Sequence, residues 1–155
     1  MIAARIALPA SLSGLPAALA AAGVADGDVG DGLVFGPEED APSTWAGVRA
    51  SLVAAFDLTR QAVAAGAPVV YLILQPALLG HRGPVPGMLA GALASGVREL
   101  AMEGRRRAVR ANALTYDDTT DPAVLARWVR ALLELDGPSG DVIHLGRGHD
   151  GKVRP

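Results

Sequence analysis

Short apolar runs along the chain alternate with longer stretches whose apolar residues recur at helical spacing. Ala4 to Leu8 is a short apolar run that ends at Pro9, and the Ala/Leu-rich stretch from Leu15 to Ala22 stops at Gly23. Because glycine commonly follows a helix end, this part predicts a strand and then a helix. The run from Val69 to Leu74 is uninterrupted and β-prone, which is typical of a strand covered on both faces of a parallel sheet.

Three later segments have apolar residues three and four positions apart, a spacing that places them on one side of a helix. Ser43 is a candidate cap for the first helix, and Asp121-Pro122 is a typical start for the third. The first stripe comprises Trp45, Val48, Leu52, Phe56, Thr59 and Val63. The second comprises Leu89, Leu93, Val97 and Leu100, and the third Val124, Leu125, Trp128, Val129 and Leu132.

The remaining apolar runs, Leu33–Phe35, Val109–Leu114 and Asp141–Leu145, are candidate strands. Strands that alternate with helices favour right-handed crossovers and an open, mostly parallel sheet. We therefore expect a single α/β domain over residues 1–155, with about five mostly parallel strands and helices on both faces. The strands should lie side by side in chain order.

The composition narrows the set of partners. The 155 residues are 50% hydrophobic, which is enough for a sizeable core, and the net charge of −2 supplies no positive field for nucleic acid or an anionic membrane. The absence of cysteine excludes disulfides and thiolate metal sites. No segment reaches the roughly 18 consecutive apolar residues of a membrane span. We expect a cytoplasmic protein that binds neither nucleic acid nor membranes.

Three segments carry, in the right order, motifs of one enzyme family. Trp45-x-x-Val48 followed by Ser51-Leu-Val-Ala-Ala-Phe-Asp-Leu-Thr-Arg60 is similar to W-x-x-V…N-L-x-G-x-F-x-L-T-R, with one residue fewer after the tryptophan. The segment from Leu100 to Leu114 resembles L-A-x-E-x-x-x-x-x-I-R-V-N-A-V, and Ser139 to Gly148 resembles T-G-Q-x-I-x-V-D-G-G. From about Leu33 to Gly148 the chain thus resembles a shortened short-chain dehydrogenase/reductase. The resemblance implies a reduced Rossmann-like, doubly wound fold.

The resemblance also shows which catalytic groups are missing. In the family, a tyrosine transfers a proton at the carbonyl, a lysine four residues on lowers the tyrosine pKa, a serine binds the carbonyl and an asparagine supports a proton relay. The motifs place the tyrosine at Pro86, the lysine at Ala90, the serine at Ile73 or Leu74 and the asparagine at Ser51. We therefore expect no catalytic residue of the family.

One observation on catalysis does not depend on the alignment. The only lysine is Lys152, and the only tyrosines are Tyr71 and Tyr116. No Tyr-x-x-x-Lys can therefore exist in this chain.

The cofactor motif is altered as well. Pro9 and Pro16 stand where the family has glycines that let the backbone approach the pyrophosphate of a dinucleotide. Between Gly23 and Leu33 there is too little chain for the family's second and third strands with their helices. We expect the adenosine side of the pocket to be deleted and no NAD(P) cofactor to bind.

Other polar clusters have simple explanations. Gly27 to Gly32 has loose phosphate-loop spacing, but its two aspartates would repel phosphate. The ligand spacing of an EF-hand fails for Asp26, Asp28 and Asp31, and Pro37 takes the place of its last glutamate. We expect Arg105 to Arg107 to form a solvated turn and His81, His144 and His149 to lie at the surface or at a sheet edge, with no metal site.

The exception is Asp117-Asp118, which follows a predicted strand at the edge where doubly wound folds bind ligands. The pair is a candidate acid and base, although helix capping and loop solvation also explain it.

Three functions remain open. The leading hypothesis is a non-catalytic subunit, a pseudoenzyme that assembles with itself or with a full-length short-chain dehydrogenase. The resemblance implies assembly through the helices from Trp45 to Ala65 and Leu89 to Gly104. Small residues mark other faces of these helices, namely Ala50, Ala54, Ala92 and Ser95. The alternatives are a module that binds an acyl- or polyketide-like ligand and an enzyme with cofactor-independent chemistry.

Overall fold

The structure is a computed structural model that describes residues 1–38 and 44–147, so the predicted cap Ser43 lies outside the described residues. The strands are β1 (Ile2–Ala7), β2 (Val24–Asp26), β3 (Leu33–Phe35), β4 (Val69–Leu74), β5 (Ala111–Tyr116) and β6 (Val142–His144). The helices are α1 (Leu15–Ala21), α2 (Trp45–Ala65), α3 (Gln75–Leu78), α4 (Pro84–Glu103) and α5 (Pro122–Glu134).

The strands form one sheet in the order β2-β1-β3-β4-β5-β6, and every neighbouring pair is parallel. The predicted α/β class is confirmed, but the count of about five strands was too low because Val24–Asp26 is a strand. Gly23, with φ of +83°, ends α1 and turns the chain directly into β2, which pairs with Ile2–Ala4 of β1. Glycine has no Cβ and adopts a positive φ without steric cost, so this residue permits the sharp turn.

The extra strand also corrects the predicted deletion on the far side of β1. A doubly wound sheet has the order 3-2-1-4-5-6. The observed order corresponds to this pattern without its third strand and with one strand added at the other edge. The chain therefore keeps a three-residue second strand, and the expectation that both outer strands are absent was wrong.

Helices cover both faces of the sheet, as predicted. Helices α2 and α4 pack on one face, against side chains that include Phe35, Tyr71 and Ile73. Helices α1 and α5 pack on the other face, against Val34 and Leu72. Because side chains alternate along a strand, neighbouring residues of β4 enter different clusters, and the uninterrupted apolar run is explained.

The predicted apolar stripe of α2 is only half covered. Trp45 and Phe56 are exposed, and Leu52 is half-buried. The apolar stripe of α2 is wider than the area of contact between α2 and the sheet. The sheet therefore covers only one side of the stripe. The buried residues of α2 are Val48, Ala55, Thr59 and Ala62.

Element ends follow local chemistry. The Asp121 carboxylate accepts a hydrogen bond from the Ala123 N–H at 2.8 Å, and Pro122 is the first residue of α5, so the predicted start of this helix is confirmed. The strand expected from Val109 begins at Ala111 instead, because a 3-10 turn and Ala108, with φ of 55°, precede it. Among the helices of the described part of the chain, none has the length and apolar character that crossing a membrane requires.

Candidate functional site

The positions that the resemblance assigns to catalysis meet at the carboxyl end of β4. Ile73 and Leu74 end this strand, and Pro86 and Ala90 lie in the first half of α4. All four line one space of about 30 Å³, enough for one or two water molecules. The four positions therefore meet in space, and their side chains are apolar.

The same space is closed by further apolar groups. Pro37, Ala77 and Leu89 line it, together with the exposed Glu38 and the buried Tyr116. Ser51, at the position of the family's asparagine, is half-buried on α2. The only lysine of the chain, Lys152, lies outside the described residues. Among the residues that line this space, Glu38 and Tyr116 carry ionisable side chains.

Tyr71 has a structural role. Its hydroxyl lies 2.6 Å from the Thr59 hydroxyl of α2, and both residues are buried. Burial raises the pKa of Tyr71, and the hydrogen bond with Thr59 opposes this rise. The ring also makes an edge contact with Phe35, at 6.1 Å between ring centroids. Tyr71 therefore fixes α2 on β3 and β4 and stays neutral at physiological pH.

A larger crevice lies between the β1–α1 turn and the β5–α5 loop. Its volume is about 440 Å³, which is in the range of small-molecule sites. Ser11 and Leu12 line one side, and Asp117 and Asp118 line the other, with Arg82 at the same crevice. The structure thus places the predicted acidic pair in a crevice at the carboxyl edge of the sheet.

The two aspartates differ in their surroundings. Asp118 is exposed, whereas Asp117 is half-buried. One oxygen of Asp117 accepts hydrogen bonds from the Thr119 N–H at 2.9 Å, the Thr119 hydroxyl at 2.7 Å and the Thr120 hydroxyl at 3.2 Å. The Asp117 N–H in turn donates to the Thr120 hydroxyl. This carboxylate oxygen holds the loop in shape, which is the capping and loop role that competed with acid-base chemistry.

A buried glutamine joins three segments of the chain at this edge, and the sequence analysis did not single it out. The Gln75 side chain is 1% exposed, and its Oε1 accepts from the Thr115 hydroxyl at 2.7 Å. Its amide nitrogen donates to the Gly146 carbonyl at 3.1 Å. The Thr115 hydroxyl also lies 3.1 Å from Nδ1 of His144, so the predicted edge histidine takes part in this network.

Gly146 leaves no space for a side chain at that point. A Cβ atom there would lie 2.5 Å from Oδ2 of Asp117 and 2.8 Å from Oε1 of Gln75. The glycine thereby lets the chain after β6 approach the Asp117 loop closely. A polar residue directly after the apolar run from Val69 to Leu74 was the only sequence signal for this network.

The turn after β1 does not fit a dinucleotide pyrophosphate. Pro9 is buried, and its Cδ would lie 3.2 Å from a Cβ at Gly36, so the ring fills the space between β1 and β3. Pro16 occupies the first turn of α1. Both prolines remove backbone N–H groups from the place where anions are bound in such turns. At the end of β2, the Asp26 carboxylate accepts a hydrogen bond from the Ile6 N–H at 3.0 Å.

The other predicted polar residues are solvated. His81, Arg105 and Arg106 are exposed, whereas His149 lies outside the described residues. Asp28 accepts a hydrogen bond from the Gly30 N–H at 2.8 Å within its own turn. Within residues 1–38 and 44–147, no group of three or more His, Asp or Glu side chains is placed to hold a metal ion.

Helices α2 and α4 expose several small and large apolar side chains. The small residues expected on their outer sides, Ala50, Ala54, Ala92 and Ser95, are all exposed. Large apolar side chains accompany them: Trp45 is 63% exposed, Val53 50%, Phe56 65%, Met88 50% and Met102 72%. We call the outward-facing surface that these residues form on the two helices the α2/α4 surface.

Comparison with known proteins gives a fold and no closer relative. No protein-family model and no curated protein sequence matches the chain. The structure is similar to the enoyl-[acyl-carrier-protein] reductase (NADH) of Aquifex aeolicus VF5, with a TM-score of 0.63 and 18% identity over 81% of this chain and 73% of that chain.

Two further solved structures are similar. The enoyl-acyl carrier protein reductase of Bacillus cereus, in complex with NADP+ and indole naphthyridinone, has a TM-score of 0.55 and 18% identity over 79% of this chain and 73% of that chain. The apo form of an SCOR enzyme from Clostridium thermocellum has a TM-score of 0.58 and 11% identity over 85% and 75%. The chain thus has the fold of short-chain dehydrogenase/reductases, as the motifs implied.

Proposed function

We propose that this protein is a non-catalytic subunit with a dehydrogenase fold, which assembles through the α2/α4 surface with itself or with a catalytically complete short-chain dehydrogenase. The observation that carries the proposal is the apolar space of about 30 Å³ at Ile73, Leu74, Pro86 and Ala90. None of these four side chains has a proton to transfer to a carbonyl, and the family's Tyr-x-x-x-Lys pair does not occur in the sequence.

The α2/α4 surface supports the second half of the proposal. Large exposed apolar groups such as Trp45, Phe56 and Met102 are not needed to cover the sheet, since other residues of the same helices already do so. Contiguous exposed apolar surface is typical of a protein–protein interaction site. A partner that covers these side chains would add stability by binding only the folded state.

Assembly is tested by substitution on this surface. Ala54→Arg and Ala92→Arg each place a charge in the proposed contact, so we expect each to weaken assembly at least about tenfold and to lower the melting temperature. Ala20→Arg on the exposed side of α1 is the matched control and should change neither quantity. The measurement is sedimentation equilibrium of the chain alone and after co-expression with complete dehydrogenases of its own genome. A monomer in every sample, with all three substitutions neutral, would refute the proposal.

The lack of a cofactor is tested separately. We expect no saturable binding of NAD(H) or NADP(H) at low micromolar concentration, because Pro9 and Pro16 remove pyrophosphate-binding N–H groups. Isothermal titration calorimetry and the fluorescence of added NADH measure this binding. Saturation in the low micromolar range would contradict the pseudoenzyme interpretation and favour an active enzyme.

A second candidate function is the binding of a small molecule in the crevice of about 440 Å³ beside Asp117 and Asp118. Arg82 and the two aspartates that line this crevice favour a polar ligand there, whereas the space of about 30 Å³ beside β3 and β4 is too small for an acyl chain or a polyketide. A thermal-shift screen of small metabolites tests it. A ligand whose stabilising effect disappears in Arg82→Ala, while the chain stays monomeric, would favour binding over assembly.

A further inference from the structure

The crevice of about 440 Å³ is lined by charges of both signs. Arg82 comes from the connection between α3 and α4, whereas Asp117 and Asp118 come from the loop between β5 and α5. Strands β4 and β5 are neighbours in the parallel sheet, so the segments that follow them meet at its carboxyl edge. One positive and two negative side chains therefore line a single concave space.

Two of these charges are not used by the fold. Within the described part of the chain, the exposed side chains of Arg82 and Asp118 take part in no ion pair and no hydrogen bond. Asp117, in contrast, accepts the hydrogen bonds from Thr119 and Thr120 that hold its loop. Arg82 and Asp118 are therefore the charges that a ligand can engage without displacing a contact of the protein.

The loop that carries Arg82 has a defined backbone. The His81 N–H donates to the Pro76 carbonyl at 2.8 Å and closes a turn at the end of α3. Gly83, directly after Arg82, has φ of +87°, a conformation that residues with a Cβ rarely adopt. The glycine therefore lets the chain enter α4 immediately after the arginine, which keeps Arg82 beside the crevice.

The loop that carries Asp118 is fixed as well. One oxygen of Asp117 accepts from the Thr119 N–H at 2.9 Å, and the Thr120 N–H donates to the Asp117 carbonyl at 3.1 Å. Asp118 lies between these contacts. Because both loops are already held by hydrogen bonds, a ligand that binds the two charges has little of the chain to order, and this lowers the entropic cost of binding.

The floor of the crevice is apolar. Among the residues that line it, Leu15 and Leu125 are buried, and Leu12 and Leu74 are half-buried. These side chains belong to the core that packs α1 and α5 on the sheet. An apolar group that covers them is removed from water, which favours binding. The crevice thus combines an apolar floor with one available charge of each sign.

The crevice does not suit a phosphate group. Pro9 and Pro16 remove N–H groups from the turn after β1, and Pro122 has none at the start of α5. The Ala123 N–H is already bound by the Asp121 carboxylate at 2.8 Å. The two aspartates that line the crevice outnumber its one arginine and repel an anion. Ligands with a net negative charge are therefore disfavoured.

We propose that this crevice binds a small zwitterion, a molecule whose ammonium and carboxylate groups are joined by an apolar body, as in an apolar amino acid. The Arg82 guanidinium binds the carboxylate, the Asp118 carboxylate binds the ammonium, and the apolar body covers the leucine side chains. This inference rests on the second candidate function and names its ligand class, and it does not depend on assembly. Because both charged contacts are exposed, we expect a Kd of about 0.1–1 mM.

Ligands that lack one of the two charges test the proposal directly. L-Leucine carries both charges, 3-methylbutylamine is the same molecule without its carboxylate, and 4-methylpentanoate is the same molecule without its ammonium group. A second zwitterion, 6-aminohexanoate, carries the two charges further apart. We expect isothermal titration calorimetry to show that at least one zwitterion binds about fivefold or more tightly than either single-charge analogue.

Substitutions assign the two charges to residues. Arg82→Gln and Asp118→Asn each remove one charge at an exposed position, so we expect each to weaken the binding of the zwitterion by about three- to tenfold. Arg127→Gln on α5 and Asp31→Asn before β3 are the matched controls, because both residues are exposed and lie outside the crevice lining. Equal melting temperatures of the four variants without ligand show that each is folded.

Two results would overturn the zwitterion. One is the absence of binding by both zwitterions at about 10 mM, a concentration well above the expected Kd. The other is a single-charge analogue that binds as tightly as L-leucine, with no effect of the substitution that removes the opposite contact. For 3-methylbutylamine that substitution is Arg82→Gln, and for 4-methylpentanoate it is Asp118→Asn.

A failure of this inference is distinguishable from a failure of the second candidate function. If the zwitterions do not bind but a thermal-shift screen of small metabolites finds another ligand that requires Arg82, the ligand class is wrong and the second candidate function is supported. If the screen finds no ligand, both are wrong. Neither result changes the proposal of assembly through the α2/α4 surface.

Discussion

The outer surfaces of the two helical layers of this protein carry different kinds of side chain. On α5, Arg130 pairs with Glu134 at 3.2 Å and donates a hydrogen bond to the Ala22 carbonyl at the end of α1, at 3.0 Å. On α2 and α4, large apolar groups such as Phe56 and Met102 occupy the comparable outward positions. Both layers bury a well-packed inner side, so the difference lies entirely in what faces outward.

Polar contacts are also present at the end of α5. Arg110 donates hydrogen bonds to the carbonyls of Leu133, in the last turn of α5, and Leu135, the residue after its end, and pairs with Asp136 at 2.9 Å. Large apolar groups are exposed on this side as well, namely Trp128 on α5, at 41%, and Leu135 directly after it, at 60%. The buried sides of the helices are therefore sufficient to cover the sheet. The apolar exterior of α2 and α4 needs a separate explanation.

The largest expected loss of stability comes from a substitution on the buried side of α5. Leu125 is 2% exposed, so Leu125→Ala should lower the free energy of unfolding by about 2–5 kcal/mol at every protein concentration. Phe56→Ala, on the outside of α2, should lower stability only at concentrations where the protein is assembled. Urea unfolding at several concentrations separates the two. An equal, concentration-independent loss in both variants would mean that Phe56 supports the monomer.

An intermediate effect is expected where α2 meets the sheet. Tyr71→Phe leaves the buried Thr59 hydroxyl without its partner and should lower the free energy of unfolding by about 1–2 kcal/mol at pH 7. Chemical unfolding measures this loss, and Thr59→Val in the same background is the matched control. If Thr59→Val rescues Tyr71→Phe by removing the stranded hydroxyl, the loss comes from the hydrogen bond.

The same variant predicts a pH effect with a defined sign. The folded-state pKa of Tyr71 is raised by burial, so the folded protein holds this proton more tightly than the unfolded chain does. The stability is fully present below about pH 10, the usual tyrosine pKa, and falls as the pH rises from there through the folded-state pKa. Tyr71→Phe should remove this part of the decline. A decline of unchanged size in the variant would assign it to other groups.

The smallest expected effect on stability is that of a glycine substitution on the exposed side of α4. A Cβ at Gly91 would meet nothing within 4 Å, so Gly91→Ala should stabilise the isolated chain by about 0.5–1 kcal/mol through helix propensity. Gly96→Ala is the control, because its Cβ would make an ordinary contact of 3.8 Å with the Tyr71 ring on the sheet side. Only Gly91→Ala should also weaken assembly, as measured by sedimentation. Equal effects of both on assembly would place the contact elsewhere.

Local patterns in the sequence were sufficient for most of the fold. The run from Val69 to Leu74 and the Asp121-Pro122 start were recognisable because each depends on residues close in the chain. Val24–Asp26 was missed because a three-residue strand between glycines and aspartates has the composition of a loop. Trp45 and Phe56 belong to the predicted stripe and are nevertheless exposed, because periodicity defines a side of a helix, not how much of it is covered.

Only part of the candidate site could be predicted from the sequence. The resemblance implied that Ile73, Leu74, Pro86 and Ala90 meet in space, and they do. The Gln75 network could not be predicted, because its partners Thr115 and Gly146 lie 40 and 71 residues away in the chain. Long-range hydrogen bonds of this kind depend on the packing of whole strands, and no local pattern encodes them.

The two borders of the described sheet have a consequence for behaviour in concentrated solution. Strands β2 and β6, which form these borders, are each three residues long. A strand of another molecule that pairs with either border would form only a few backbone hydrogen bonds. The growth of a cross-β fibre from these borders is therefore unfavourable. Assembly through the α2/α4 surface, as proposed above, ends once that surface is covered. Crowding should therefore produce particles of finite size, and light scattering should reach a plateau instead of rising without limit.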